Sequence, residues 1–305
     1  MAVADEPAVE PYPVIRLSKI QKDPRPDWLI EGLWTRQGVG VIGGHPKLGK
    51  TWVALEIALA IASGQPCLGR FPVLDRGHVL VYCAEDGKQR IRDRVEGLCA
   101  ARGVNFDRLA IGWIDSNDLA LDRSTDQLRL LATVEKNRAK AIVLDPLVRL
   151  HLGDENSSQD ISRLLRFLRT LQHRHGTAVI LVHHTRKAPA AEHGQALRGS
   201  GDVHAWGDSN LYIHKIKRHW TLSAENRSQP PSDEVHLRLD GQPPRIVIDE
   251  HPLADRITAA LADGALTRRA LRDRLGIRAE TLAEAVDQLI HAQRLRVADG
   301  QVQLA

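Results

Sequence analysis

With 305 residues, 43% of them hydrophobic and 26% charged, the chain can bury a sizeable core and reads as one large domain plus one small one. A net charge of +4 and a sequence pI near 9.1 fit a polyanionic partner but not a dedicated nucleic-acid coat protein, and 4% aromatic residues disfavour an extended platform of stacked bases. The acidic first residues, and no apolar run near the roughly 18 residues that span a bilayer, predict a soluble cytoplasmic protein; three irregularly spaced cysteines, Cys67, Cys83 and Cys99, predict reduced, buried thiols.

Residues 1–27 bear prolines and no clear period, so they read as an irregular arm, and "DWLIEGLW" then opens the folded part. From residue 39 short apolar runs alternate with helical patterns. The runs "VGVIGG", "HVLVYCAED", "LAIGWID", "KAIVLDP" and "TAVILVHHT" suit parallel strands buried on both faces, and the helical patterns lie near residues 50–62, 87–102, 124–138 and 158–175. This alternation predicts βαβ units, hence an α/β fold with a mostly parallel central sheet covered on both sides. After "VHHTRKAPAAEHGQALRGSGD" the texture turns β-like in "SNLYIHKIK", "WTLSAEN", "VHLRLD" and "RIVID", which predicts an antiparallel extension of the sheet. Residues 251–305 hold three further helical patterns and two short strands around Asp299-Gly300, the outline of a winged helix-turn-helix. The expected domains are therefore an arm at 1–27, a core at 28–250 and this small domain at 251–305.

Gly44-His45-Pro46-Lys47-Leu48-Gly49-Lys50-Thr51 fits the pattern G-x-x-x-x-G-K-[ST] between the strand "VGVIGG" and the helix that continues through Trp52. A glycine-rich turn in that place points backbone N–H groups at phosphate oxygens, and the helix N-terminus adds its partial positive charge. Lys50 is expected to reach the β- and γ-phosphates of ATP and Thr51 to offer its hydroxyl to Mg²⁺; residues 44–52 form the candidate nucleotide site.

Phosphoryl transfer also needs a metal holder, a group that orients water and a positive charge at the γ-phosphate. Asp145 ends the run "AIVL" at the carboxyl edge of a buried strand, where it can hold Mg²⁺ through water. Glu85 and Asp86 end "HVLVYCA". Either could polarise water, with Glu85 preferred as base and Asp86 as its neighbour in the metal shell, while both could instead cap the next helix. His183 and His184 follow "AVILV" at the same edge; a strand alternates faces, so one of the two is expected to face nucleotide, and a structural role is open for either.

The ordered set "WLIEGLW", "GGHPKLGKTW", "YCAED", "VLDPLVRLHLGDENSS", "LVHHTRK" and "ALRGSGDVHAWGDS" resembles the RecA-like AAA-domain ATPases, the family that includes the plasmid-encoded hexameric RepA-type replicative helicases. The resemblance spans roughly residues 28–240. It implies ATP-Mg²⁺ hydrolysis between neighbouring subunits, with the catalytic glutamate at Glu85, the metal-associated aspartate at Asp145 and the sensor histidine within His183 and His184. RepA-type helicases carry an arginine about ten residues after the "RGS" segment, and here that place is taken by Asp208. Ring helicases of RecA type instead project a basic pair from a late strand, and "SAENRS" puts Arg227 there; Arg227 is thus the candidate finger acting on a neighbour's nucleotide, with Arg198 and Arg218 behind it.

Such rings turn the loops after the aspartate and histidine strands toward a central channel. The first, "RLHLGDENSSQD", is mildly acidic; the second brings Arg186, Lys187 and Arg198 among small residues and suits a phosphate backbone. Arg269, Arg272 and Arg278, beside Arg268 and Arg274, cluster around the turn of the predicted winged helix, a second route to DNA. Eight arginines against seven acidic residues in 252–305 leave protein docking open for that domain. The functional expectation is an ATP-hydrolysing homo-oligomer, a hexamer, acting on single-stranded DNA as a helicase or replication-initiation ATPase of a plasmid, phage or other mobile element. Its rivals are a regulatory or loader ATPase that recruits a protein partner, and an ATP-binding scaffold or transcriptional regulator.

Overall fold

A computed structural model describes residues 11–153, 158–184, 201–216, 219–227, 234–241, 245–249, 253–275, 277 and 279–305. The segment "DWLIEGLW" forms a small hairpin of β1 (Trp28–Ile30) and β2 (Trp34–Thr35). Then follow β3 (Val39–Gly44), α1 (Lys50–Ser63), β4 (Val79–Cys83), α2 (Lys88–Arg102), β5 (Ile111–Trp113), α3 (Ser124–Asn137), β6 (Ala141–Asp145), α4 (Ser158–His175) and β7 (Ala178–His184). These nine elements sit where alternating apolar runs and helical periods predict them, although β5 is shorter than its run.

Pleating decides which helices each strand supports. Val79, Val81 and Cys83 of β4, Val143 of β6 and Ile180 and Val182 of β7 pack in one cluster with α1 and α2. Leu80 and Tyr82, Ile142 and Leu144, and Val179 and Leu181 pack in the other, with α3 and α4. β3, β4 and β6 are buried along their whole length, as sheets covered on both faces require. Helix α1 is apolar almost all round, and its one buried acid, Glu56, accepts the Leu68 N–H at 2.9 Å and pairs with Arg102 of α2. Gly64, at φ +78°, ends it by returning its N–H to the Ala60 carbonyl.

The second half continues the sheet with α5 (Gly201–Trp206), β8 (Ser209–Ile216), β9 (His219–Asn226), β10 (Val235–Asp240) and β11 (Arg245–Ile248). The order across the sheet is β11-β10-β9-β8-β3-β7-β6-β4-β5. The antiparallel extension begins one strand later than its texture predicts: β8 runs parallel to β3, and only β8–β9, β9–β10 and β10–β11 are antiparallel. The long connection from β7 to β8 permits the parallel crossover, which a two-residue turn could not make. At Gly40, where β3 passes β8, an added Cβ would lie 1.6 Å from the Ser209 carbonyl oxygen.

Residues 253–304 build α6 (Leu253–Ala260), β12 (Leu266–Thr267), α7 (Arg268–Leu275), α8 (Ala279–His291), β13 (Leu295–Ala298) and β14 (Gln301–Leu304). They enclose a separate cluster around Ile257, Leu271, Val286 and Val302, and β12, β14 and β13 form their own three-stranded sheet. The turn at Asp299 and Gly300, both at positive φ, joins β13 to β14. Cys67, Cys83 and Cys99 are free and buried. No described helix is long and apolar enough to cross a membrane.

Candidate functional site

The phosphate-loop pattern lies between β3 and α1 at the carboxyl edge of the parallel strands, where open α/β sheets bind ligands. Gly44 closes β3; Pro46 and Lys47 are exposed, His45 is half-buried and Leu48 is anchored in the core. Lys47 at φ +64° and Gly49 at φ +75° give the turn its left-handed geometry. An added Cβ on Gly49 would also come 3.1 Å from the Trp220 ring of β9. Trp220, which sequence reasoning missed, therefore packs against the loop, and only the β9 position beside the sheet edge reveals it.

Lys50 is 5% exposed, and its ammonium donates to the Gly44 carbonyl at 2.9 Å and the His45 carbonyl at 2.8 Å. Burial lowers its pKa to about 8, opposed by the negative charges of Asp145 and Glu85. The Thr51 hydroxyl donates to Asp145 Oδ2 at 2.6 Å. Asp145 is 7% exposed, and burial raises its pKa to about 6 against that hydrogen bond and Lys50; Asp86 and Glu85 add to the rise. A buried cation stripped of water at the start of α1 and a buried carboxyl beside a hydroxyl at the end of β6 thus lie at one sheet edge. That donor set fits a triphosphate at Lys50 and the backbone of the loop, and a divalent cation at Thr51 and Asp145.

The strand ends around this pair differ in what they offer. Glu85 is half-exposed just past β4 and accepts from Arg149 Nε at 3.3 Å. The Asp86 carboxylate, near enough to Asp145 to raise its pKa, accepts from Arg94 Nη1 at 2.5 Å and Arg90 Nη1 at 2.9 Å, both on α2. Arg94 lies over the Trp52 ring, 5.3 Å from its centroid, so Trp52 packs between α1 and α2. Asp86, Arg94 and Trp52 therefore tie the strand end to the first turn of the loop helix.

On β7, His183 pairs in register with Gly43 and His184 with Gly44. Val182 belongs to the α1 face and Leu181 to the opposite one, so pleating sends His184 to the side of α1 and His183, buried, to the side of α3 and α4.

Arg227 lies elsewhere. β8 runs parallel to β3 with Ile213 beside Gly44, whereas Ser209 pairs with Asn226 at the other end. At ~3.3 Å per residue this puts Arg227 roughly 13 Å or more from its own loop, beyond the reach of an arginine side chain. There its backbone N–H donates to the Asp208 carbonyl at 2.9 Å, its Nη2 to the Ala205 carbonyl at 2.6 Å, and its Nη1 lies 3.6 Å from Asp208 Oδ1. Asp208 also accepts from Arg169 at 2.6 Å and from the Val39 N–H at 3.1 Å.

Among the remaining candidates, Arg186, Lys187, Arg198, Arg218 and Arg278 lie outside the described residues. Arg269 is exposed on α7; Arg272 pairs with Asp273 at 3.2 Å, Arg268 with Asp287 and Arg274 with Asp263, each at 2.8 Å. Three of the four α7 arginines are thus matched by acids of the same segment.

A family model described as AAA domain matches residues 5–190. Among solved structures the chain is similar to a KaiC-like protein of the hyperthermophilic archaeon Pyrococcus horikoshii, at 20% identity over 74% of this chain and 94% of that one, with a TM-score of 0.49. It is similar to the RadB recombinase at 17% identity over 67% of this chain and 88% of that one, TM-score 0.48. A DnaB-like replicative helicase, described with its interactions with primase, matches at 18% identity over 70% of this chain and 59% of that one, TM-score 0.52. At 18% identity this last match speaks to a shared fold alone.

Proposed function

The chain belongs to the AAA-domain family with a RecA-like ATPase core, and we propose that it hydrolyses ATP with Mg²⁺ at residues 44–51 to drive an oligomeric motor on DNA, a helicase or replication-initiation ATPase of a mobile element. The observation that carries the hydrolytic site is the Lys50, Thr51 and Asp145 cluster: two buried, oppositely charged groups at the sheet edge, Lys50 held on the loop carbonyls and Asp145 on the Thr51 hydroxyl.

In this reading the backbone of the loop and Lys50 cradle the phosphates, and Thr51 with Asp145 holds Mg²⁺. Mg²⁺ held by these two side chains would supply charge neutralisation at the phosphate oxygens. Glu85 orients and deprotonates the attacking water once its carboxylate leaves Arg149, and His184, on the α1 side of β7, senses the γ-phosphate. Asp86 fixes the strand end through Arg90 and Arg94.

Arg227 serves a neighbour. The site at 44–51 lies at one edge of the sheet and Arg227 at the other, so a role at a γ-phosphate requires a second copy of the chain. Asp208 occupies the place of the arginine in RepA-type helicases, and its carboxylate touches Arg227. The positive charge has thus moved by one strand while staying at the same edge.

A loader ATPase that acts on a protein partner is the second reading, and the internal pairing of Arg268, Arg272 and Arg274 favours it for residues 253–304, which we read as a winged helix used for protein docking. ATP turnover and strand separation, with and without single-stranded DNA, separate the two. A motor accelerates markedly on single strands and opens duplexes; a turnover rate indifferent to DNA rejects the motor.

A further inference from the structure

Glu85 borders a second cleft, of about 640 Å³, that takes none of its lining from the phosphate loop. Segments 84–85, 117–120 and 148–152 enclose it, together with Tyr82 and Arg123. His151 lines this cleft at 9% exposure, and neither of its ring nitrogens meets a hydrogen-bond partner among the described residues. Both nitrogens are buried as well as unpartnered, and buried polar groups are ordinarily satisfied, so this ring in the wall of the cleft is one that a ligand satisfies by turning it outward.

Two guanidinium groups share the cleft with it. Arg149 rests on Glu85 at 3.3 Å, and Arg123 on Asp118 at 3.2 Å, with Asp126 at its Nε. The side chains of Arg149 and Glu85 are 61% and 48% exposed, and ion pairs that open to solvent are weak and easily exchanged. Guanidinium forks and an imidazole N–H match the oxygens of a phosphate group, while Glu85 and Asp118 oppose an anion unless it replaces them on the arginines.

We propose that this cleft is a phosphate site formed by His151 and Arg149, and that an incoming phosphate takes Arg149 from Glu85 and so frees Glu85 for hydrolysis. The second half rests on the reading of Glu85 as the water-activating base. A backbone phosphate of a polynucleotide and the inorganic phosphate released by hydrolysis present the same chemistry, and the two arms of the test tell them apart.

The test follows the ring signals of His151 in the full chain labelled with 15N-histidine, assigned by their loss in His151→Gln, during titration with inorganic phosphate and separately with oligothymidylate. The expected result is a saturable shift that persists in Lys50→Ala, disappears in Arg149→Ala and occurs at several-fold lower ligand concentration in Glu85→Gln. Saturation by oligothymidylate at the lower concentration assigns the site to a backbone, and saturation by phosphate alone assigns it to the product. No saturable shift with either probe overturns the site. In parallel, Arg149→Ala should raise ATP turnover without DNA several-fold; an unchanged or lower rate overturns the release of Glu85. If Glu85→Gln still hydrolyses ATP normally, the base assignment falls, and the binding arm decides the phosphate site independently.

Discussion

Lys50 and Asp145 carry protonation equilibria displaced in opposite directions, and both displacements set the conditions for turnover. Holding Mg²⁺ requires an ionised Asp145, so activity should fall as pH drops through about 6; holding phosphate requires a charged Lys50, so it should fall as pH rises through about 8. The profile of kcat/KM against pH should therefore be a bell with limbs near those values, and a flat profile across pH 5–9 would count against both roles. The same burial acts on stability. A carboxyl whose pKa is raised in the folded chain favours folding while protonated, and that contribution disappears as pH rises from the usual 3.8 through about 6. At pH 7 the ionised group then costs the folded chain up to ~3 kcal/mol, and Asp145→Asn should raise the melting temperature of the nucleotide-free protein while abolishing turnover. A lower melting temperature for that variant would contradict this account of burial.

Much of the site was legible at this scale because phosphate chemistry fixes the spacing of Gly44, Gly49, Lys50 and Thr51 and puts Asp145 at a strand end. His151 was not legible: "RLHLG" reads as an arginine and a histidine alternating with leucines, and only burial without a partner sets His151 apart. Asp86 was half legible, since Arg90 and Arg94 follow it at four and eight residues, a spacing that returns to one helix face.

Between elements, the loop depends on a backbone turn and on the brace behind it. Gly49→Ala forces a side chain into a left-handed turn at φ +75° and toward the Trp220 ring, so it should weaken ATP binding at least tenfold and destabilise the chain by about 1–2 kcal/mol. Unaltered affinity would mean that the loop tolerates another geometry. The brace of Asp86, Arg90, Arg94 and Trp52 makes a different prediction. Asp86→Ala should lower stability by about 1–3 kcal/mol and leave the Mg²⁺ concentration for half-maximal turnover unchanged; a large rise in that concentration would return Asp86 to the metal shell. The parallel strands and their helices were readable because burial on both faces leaves near-continuous apolar runs. Two features were not: the parallel junction of β8 with β3, which depends on the long connection before it, and α5, whose six residues are too few to show a period.

For the whole molecule, the sheet separates Arg227 from its own phosphate loop, so the proposed role of Arg227 at a γ-phosphate makes assembly a condition of activity. Arg227→Ala should turn over little ATP while binding it normally, and mixing it with Glu85→Gln subunits should restore part of the rate, because some junctions then pair an intact Glu85 with an intact Arg227. No recovery at any ratio would place the site within one chain. The charge-matched arginines of α7 suggest that residues 253–304 contribute contacts with protein in that assembly.

The central claim, that residues 44–51 are the phosphate cradle of an ATP-hydrolysing motor, meets its most direct test in steady-state ATP turnover of the wild type and Lys50→Ala, measured with Mg²⁺ in the presence of single-stranded DNA. The account predicts hydrolysis by the wild type and a loss of at least 100-fold in the variant, given the ~2.7 kcal/mol or more that one positive group contributes to a developing phosphate charge. Equal turnover by the two proteins would contradict it.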